Sequence, residues 1–177
     1  MNMNLPNKLT MFRVVLIPIF ILVLMSGLIP EPADRYIATV IFCGASFTDY
    51  LDGHIARKYN LVTNFGKFMD PLADKLLVSS ALICMVEMGT LPAWIVIIII
   101  SREFIITGFR LIAAEGGLVI AASWWGKIKT VTQMAMIILL LLGVEGVIAG
   151  IFIVLATVFT VVSGVDYIAK NISVLRN

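Results

Sequence analysis

Six apolar stretches, at about Phe12–Ile29, Tyr36–Tyr50, Phe68–Met88, Leu91–Ile112, Val131–Leu142 and Val147–Ile168, are set apart by Pro, Gly or charged residues. A bilayer-crossing helix uses about 20 residues, so a chain of 177 residues with short loops holds six and leaves no room for a separate soluble domain. Composition agrees: 60% of the residues are hydrophobic and 14% are charged, against about 25% charged in soluble proteins. With a mean hydropathy of +1.04, a water-soluble globule is excluded. The Ile-rich run Trp94–Ile100 would read as a buried strand in water, but a lone strand leaves backbone groups unsatisfied in lipid, so it reads as helix. The expected fold is an all-α polytopic membrane protein, one domain over residues 1–177. It has six transmembrane helices and a short amphipathic N-terminal lead-in, in which Asn7 is the expected cap.

Charge placement supplies the orientation. With six spans and the N-terminus inside, twelve of the thirteen basic residues fall on the cytoplasmic side and only Arg35 falls outside, a strong positive-inside bias. A net charge of +2 is too balanced for a nucleic-acid-binding surface. Cys43 and Cys84 lie in apolar runs and read as small hydrophobes, with no Cys/His cluster for zinc. The first stretch lacks an A-x-A-like cleavage site and reads as a retained helix.

Four acids interrupt this pattern. An ionised carboxylate in a membrane helix costs several kcal/mol or more, yet Asp49, Asp52, Asp70 and Asp74 fall within one segment. Asp49 and Asp52 are spaced i, i+3 on the second helix and Asp70 and Asp74 i, i+4 on the third, so each pair projects from one face. At 1.5 Å rise per residue, Asp49 and Asp74 lie about 9 and about 12 Å from the inner side of the hydrocarbon core. A hairpin of the two helices would bring both faces to one depth. Hard oxygen ligands without His or Cys suit Mg²⁺, with Mn²⁺ or Ca²⁺ as substitutes, and four carboxylates can hold two ions. The bland alternative is salt bridging to Arg57, Lys58, Lys67 and Lys75; it suits one acid better than four. Gly53, Ala56 and Gly66 leave room along the same faces. His54 is offset from the acid stripe, and Trp94, Trp124 and Trp125 read as interfacial anchors.

The segment DYLDGHIARKYNLVTNFGKFMDPLAD, Asp49 to Asp74, resembles the CDP-alcohol phosphotransferase signature D-x2-D-G-x2-A-R-x8-G-x3-D-x3-D at all eight fixed positions. The resemblance implies transfer of a phosphatidyl group from a CDP-linked lipid to an alcohol, with release of CMP. It further implies that Asp49, Asp52 and Asp70 bind metal while Asp74 both binds metal and acts as general base. Gly53, Ala56, Arg57, Thr63 and Gly66 would line the CDP pocket, and a homodimer is implied in the same way; in the cell membrane the charge bias, with the nucleotide of such a lipid in the headgroup layer, makes the active site face the cytoplasm.

The lead-in LPNKLTMFR, the segment SREFIITGFR and the later GKIKT resemble the members that use CDP-diacylglycerol and sn-glycerol 3-phosphate. Asn7 and Thr10 in the lead-in are further candidate site residues. Arg102, Arg110 and Lys127 lie toward the cytoplasmic half, as a phosphorylated acceptor requires; for Lys129 simple inner-face anchoring is favoured. Inositol phosphate, serine or phosphatidylglycerol remain alternative acceptors. A divalent-cation transporter would need acids nearer the membrane centre, with a second cluster or inverted repeat that the chain lacks.

Overall fold

The computed structural model describes residues 4–59, 63–115, 120 and 123–172, with the backbone alone at 5, 50–58, 64, 65, 67, 68, 71 and 115. The described residues form six helices and no strand: α1 (Leu5–Met25), α2 (Ala33–Lys58), α3 (Asn64–Glu87), α4 (Ala93–Glu115), α5 (Trp124–Leu141) and α6 (Gly146–Asn171). They fall into two compact units, Met1–Met88 with α1 to α3 and Gly89–Asn177 with α4 to α6.

In the first unit α1 starts where the Asn4 side chain accepts the amide of Asn7 at 3.1 Å, satisfying one of the orphan donors of the first turn. Asn4 is thus the cap, correcting the assignment to Asn7. The lead-in is no separate interfacial segment, because its residues are the first turns of α1 and Asn7 and Thr10 are buried. Helix α1 packs on both α2 and α3, which touch each other over a much shorter stretch. The expected α2–α3 hairpin therefore has α1 set into it. The pairing of Phe20 with Phe42, ring centroids 6.2 Å apart, and of Arg13 with Asp49 shows that α1 runs antiparallel to α2. Ala38, Ala45, Ala73 and Ala81 are fully buried, and such small residues allow close approach of helix backbones.

In the second unit α6 packs on both α4 and α5. Ser123 caps α5 by accepting the amide of Gly126 at 3.1 Å. The far end of α5 closes in a Schellman motif: the amide of Val144 reaches the carbonyl of Leu139 and that of Gly143 the carbonyl of Leu140, with Gly143 at φ 74°. That left-handed position favours glycine. Helix α6 buries Ala149, Ala156, Thr160, Ser163, Gly164 and Tyr167, and exposes Val147, Ile148, Ile151, Val154, Val158 and Val165. A helix whose outer face is more apolar than its inner face is matched to lipid. Residues 6–25 of α1 and all of α6 are long and apolar enough to cross a membrane. All six helices run past the apolar stretches at one end or both; α5 begins seven residues before Val131, at the Ser123 cap, and its buried face includes Lys129 and Gln133 although both are polar.

Candidate active site

The site in the first unit is organised by one face of α1. Asn7, Thr10 and Arg13, three residues apart and so on neighbouring turns, are 6%, 0% and 0% exposed. Each meets a residue singled out by the signature or its flanks. The hydroxyl of Thr63 donates to Asn7 Oδ1 at 2.9 Å, and the same Thr63 oxygen caps α3 by accepting the amide of Gly66 at 3.0 Å. The hydroxyl of Thr10 donates to Asp70 Oδ1 at 2.6 Å and lies 3.2 Å from the carbonyl of Pro6. Arg13 donates from Nη1 to Asp49 Oδ1 at 2.6 Å and from Nε to the carbonyl of Ala45 at 3.2 Å.

Gly66 sits where these contacts converge. It is buried, and a Cβ built on it would stand 3.2 Å from Asn7 Oδ1, 3.3 Å from Thr63 Oγ1 and 3.5 Å from Asp70 Oδ2. Three oxygen atoms from three residues thus surround a space that even alanine would crowd. Asp74 lies one turn beyond Asp70 and is exposed. Asp52, Gly53, Ala56 and Arg57 lie on α2 in the turns after Asp49, and their side chains fall outside the described residues, as does that of His54.

The donor set fits a hard divalent cation. Its carboxylates come from two helices, Asp49 and Asp70 are both anchored to α1, and the space at Gly66 is lined by oxygen. Among the described residues no three of His, Cys, Asp and Glu gather as a metal cluster; the Asp52 side chain is not among them.

The basic residues of the second unit have different partners. Arg102 reaches Glu103 Oε1 with Nη1 at 3.3 Å, and Lys129, 4% exposed, pairs with the same oxygen. Burial and pairing correct the view of Lys129 as an inner-face anchor. The stem of Arg102 passes over α6 so closely that a Cβ on Gly164 would stand 3.2 Å from its Cγ, and Arg102 Nε is buried with no hydrogen-bond partner among the described residues. Arg110 donates from Nε to the hydroxyl of Tyr167 at 3.2 Å, beside the core of Ile106, Phe109 and Tyr167. Lys127 is exposed and lies 5.8 Å from the ring centre of Trp124, so it is not gathered into the buried network. All three tryptophans are exposed, as interfacial anchors are.

Sequence reasoning passed over Arg13. The signal was available: a cation inside an apolar stretch is as costly as an acid there, but Arg13 lies near the start of its stretch, where the positive-inside bias absorbs it. Among the described residues this arginine, 36 residues away on α1, is a partner of Asp49.

Carboxylates on two helices tied to a third, beside the oxygens gathered at Gly66, make a site suited to holding a cation against a charged phosphate. The family model for CDP-alcohol phosphatidyltransferase matches residues 3–162, and the chain belongs to that family. Among its relatives, the CDP-diacylglycerol–glycerol-3-phosphate 3-phosphatidyltransferase of Bacillus subtilis strain 168 is 47% identical across 98% of this chain and 97% of its own length. Proteins of the same name from Haemophilus influenzae, at 47% across 76% of this chain and 73% of theirs, and from Rickettsia bellii, at 37% across 93% of each, are similar to it as well.

Proposed function

We propose that this chain transfers the phosphatidyl group of CDP-diacylglycerol to sn-glycerol 3-phosphate, giving phosphatidylglycerophosphate and CMP. The observation that carries the proposal is the eight-position signature on α2 and α3, with two of its acids and the flank of its glycine held by α1. Relatives named for this reaction, matched nearly end to end, support the choice of acceptor.

Asp49, Asp52, Asp70 and Asp74 would hold Mg²⁺, with two ions or Mn²⁺ as further forms, and the bound cation supplies neutralisation of the pyrophosphate charge. The rest is the work of side chains. Asp74 accepts the proton of the attacking glycerol hydroxyl; its oxygen bonds to the phosphorus that carries diacylglycerol, and the bond from that phosphorus to the CMP oxygen breaks. Gly53, Ala56, Arg57, Thr63 and Gly66 line the CDP pocket, with Asn7 and Thr10 supporting Thr63 and Asp70. Arg102, Arg110 and Lys127 hold the acceptor phosphate, which needs fixed cations.

All six helices span the bilayer as one domain, the protein is a homodimer, and the acid cluster opens to the cytoplasm. A cysteine at Asn60, in a background without Cys43 and Cys84, is then labelled by an impermeant thiol reagent from the cytoplasmic side only. The activity test is Mg²⁺-dependent CMP release from CDP-diacylglycerol by purified protein in detergent, with glycerol 3-phosphate, inositol phosphate, serine and phosphatidylglycerol as separate acceptors. Release with glycerol 3-phosphate alone is expected. Release with another acceptor replaces the substrate, and ion uptake into vesicles without CMP release replaces the enzyme by a transporter.

A further inference from the structure

The buried face of α1 changes character along its length. Its C-terminal part presents Ile17, Phe20 and Leu24, all apolar. Continued toward the N-terminus at the same helical spacing, the face presents Arg13, Thr10 and Asn7, equally buried. An apolar stripe would serve packing as well all the way down, and a buried guanidinium in a membrane helix is costly unless its donors are met. The change occurs where α1 meets Asp49, Asp70 and Thr63.

Arg13 holds α2 at two points of one turn. Its Nη1 takes Asp49 Oδ1, and its Nε takes the carbonyl of Ala45, the residue four before Asp49. A planar guanidinium ties a side chain to its own backbone turn through two nitrogens held in one rigid fork, whereas an ammonium offers all its donors from one atom on a flexible stem and fixes no such orientation. We propose that Arg13 is a positioning residue of the reaction: its two-point hold fixes the orientation in which the Asp49 carboxylate meets a divalent cation. The inference rests on the reading of Asp49 as a metal ligand. Arg13 makes two contributions of opposite sign to cation binding, since its charge repels the ion while its fork orders the ligand.

Arg13→Lys keeps the charge and loses the fork, so it isolates the second contribution. Mn²⁺ binding by the purified protein without substrates, followed by the EPR signal of the free ion, is expected to weaken at least about threefold. In the CMP-release assay kcat falls about tenfold, and the KM of either substrate changes less than about twofold, because an interaction that orients the reacting site acts on turnover. Arg13→Gln, which keeps a donor of shorter reach and no charge, is the second variant, with a larger fall in kcat. Unchanged Mn²⁺ affinity and kcat in variants that elute as folded protein would overturn the proposal. A lowered melting temperature with both quantities unchanged does the same, because it marks a packing role. Absence of CMP release from the wild-type protein defeats the activity reading alone, and the Mn²⁺ titration still decides the role of Arg13.

Discussion

The two units pair their charges differently. In the first, Arg13 is the described cation against Asp49, with Asp70 and Asp74 on the adjoining helix. In the second, Glu103 is shared by two cations, Arg102 and Lys129, with Arg110 on the same helix. Under the proposed reading the acids of the first unit take the metal ion and the cations of the second take the acceptor phosphate. Phosphatidyl transfer to a phosphorylated alcohol needs both, and the chain supplies them from different segments.

The largest expected effect falls on the acidic side of this comparison. Asp70→Asn should abolish turnover while the protein still inserts and purifies. Asp74→Asn should lower kcat by about 10²–10⁴-fold, the range of general acid–base catalysis, or more through a lost metal ligand. Near-normal CMP release at saturating Mg²⁺ in both would dissolve the contrast between the units.

Gly66→Ala tests the oxygen-lined space with the charges untouched. Its new methyl meets oxygens at 3.2 and 3.3 Å on two residues, and overpacking of this kind costs about 1–3 kcal/mol. A loss of about tenfold or more in kcat/KM is expected, with the elution profile of the wild type retained. Full activity would mean that the space takes no part in the site.

On the basic side the effects are smaller and fall on one substrate. Arg102→Ala and Arg110→Ala each remove a charge-assisted contact worth about 1.5–3 kcal/mol. The KM for glycerol 3-phosphate should rise about tenfold or more while that for CDP-diacylglycerol holds. Lys127→Ala should raise it less than about fivefold, because Lys127 is exposed beside the Trp124 ring with no described side chain fixing it as Tyr167 fixes Arg110, and an exposed ion pair is worth about 1 kcal/mol or less. A shift of the CDP-diacylglycerol KM in step with that of the acceptor would place these cations at the lipid instead.

The acidic side was legible in the sequence because carboxylates in an apolar stretch demand a partner, and their spacing alone places them on helix faces. Its support was harder to read. Thr10 and Arg13 are 60 and 36 residues from the acids they hold, and no local periodicity encodes which helix lies between which. The role of Lys129 was hidden for a related reason: its partner Glu103 lies 26 residues away on another helix, and a lysine near an inner interface already has a sufficient local explanation. The apolar stretches marked six helices but not their ends, of which the starts of α1, α3 and α5 are set by the polar caps Asn4, Thr63 and Ser123.

The Glu103–Lys129 pair also bears on how the chain enters the bilayer during synthesis. In the proposed six-span arrangement α5 carries Lys129, its sixth residue, in its buried face, and a lysine in a span carries an insertion penalty that reaches about 2.5–3.5 kcal/mol at the centre and falls toward the ends. With the partner carboxylate on the preceding helix, α5 would in that arrangement integrate most readily while α4 is still beside it at the exit of the insertion machinery. The expectation is cotranslational entry of the two as a pair. It can be checked by mapping engineered glycosylation sites on either side of α5: Glu103→Leu should lower the inserted fraction of α5, and an unchanged fraction would mean that α5 integrates without help from α4.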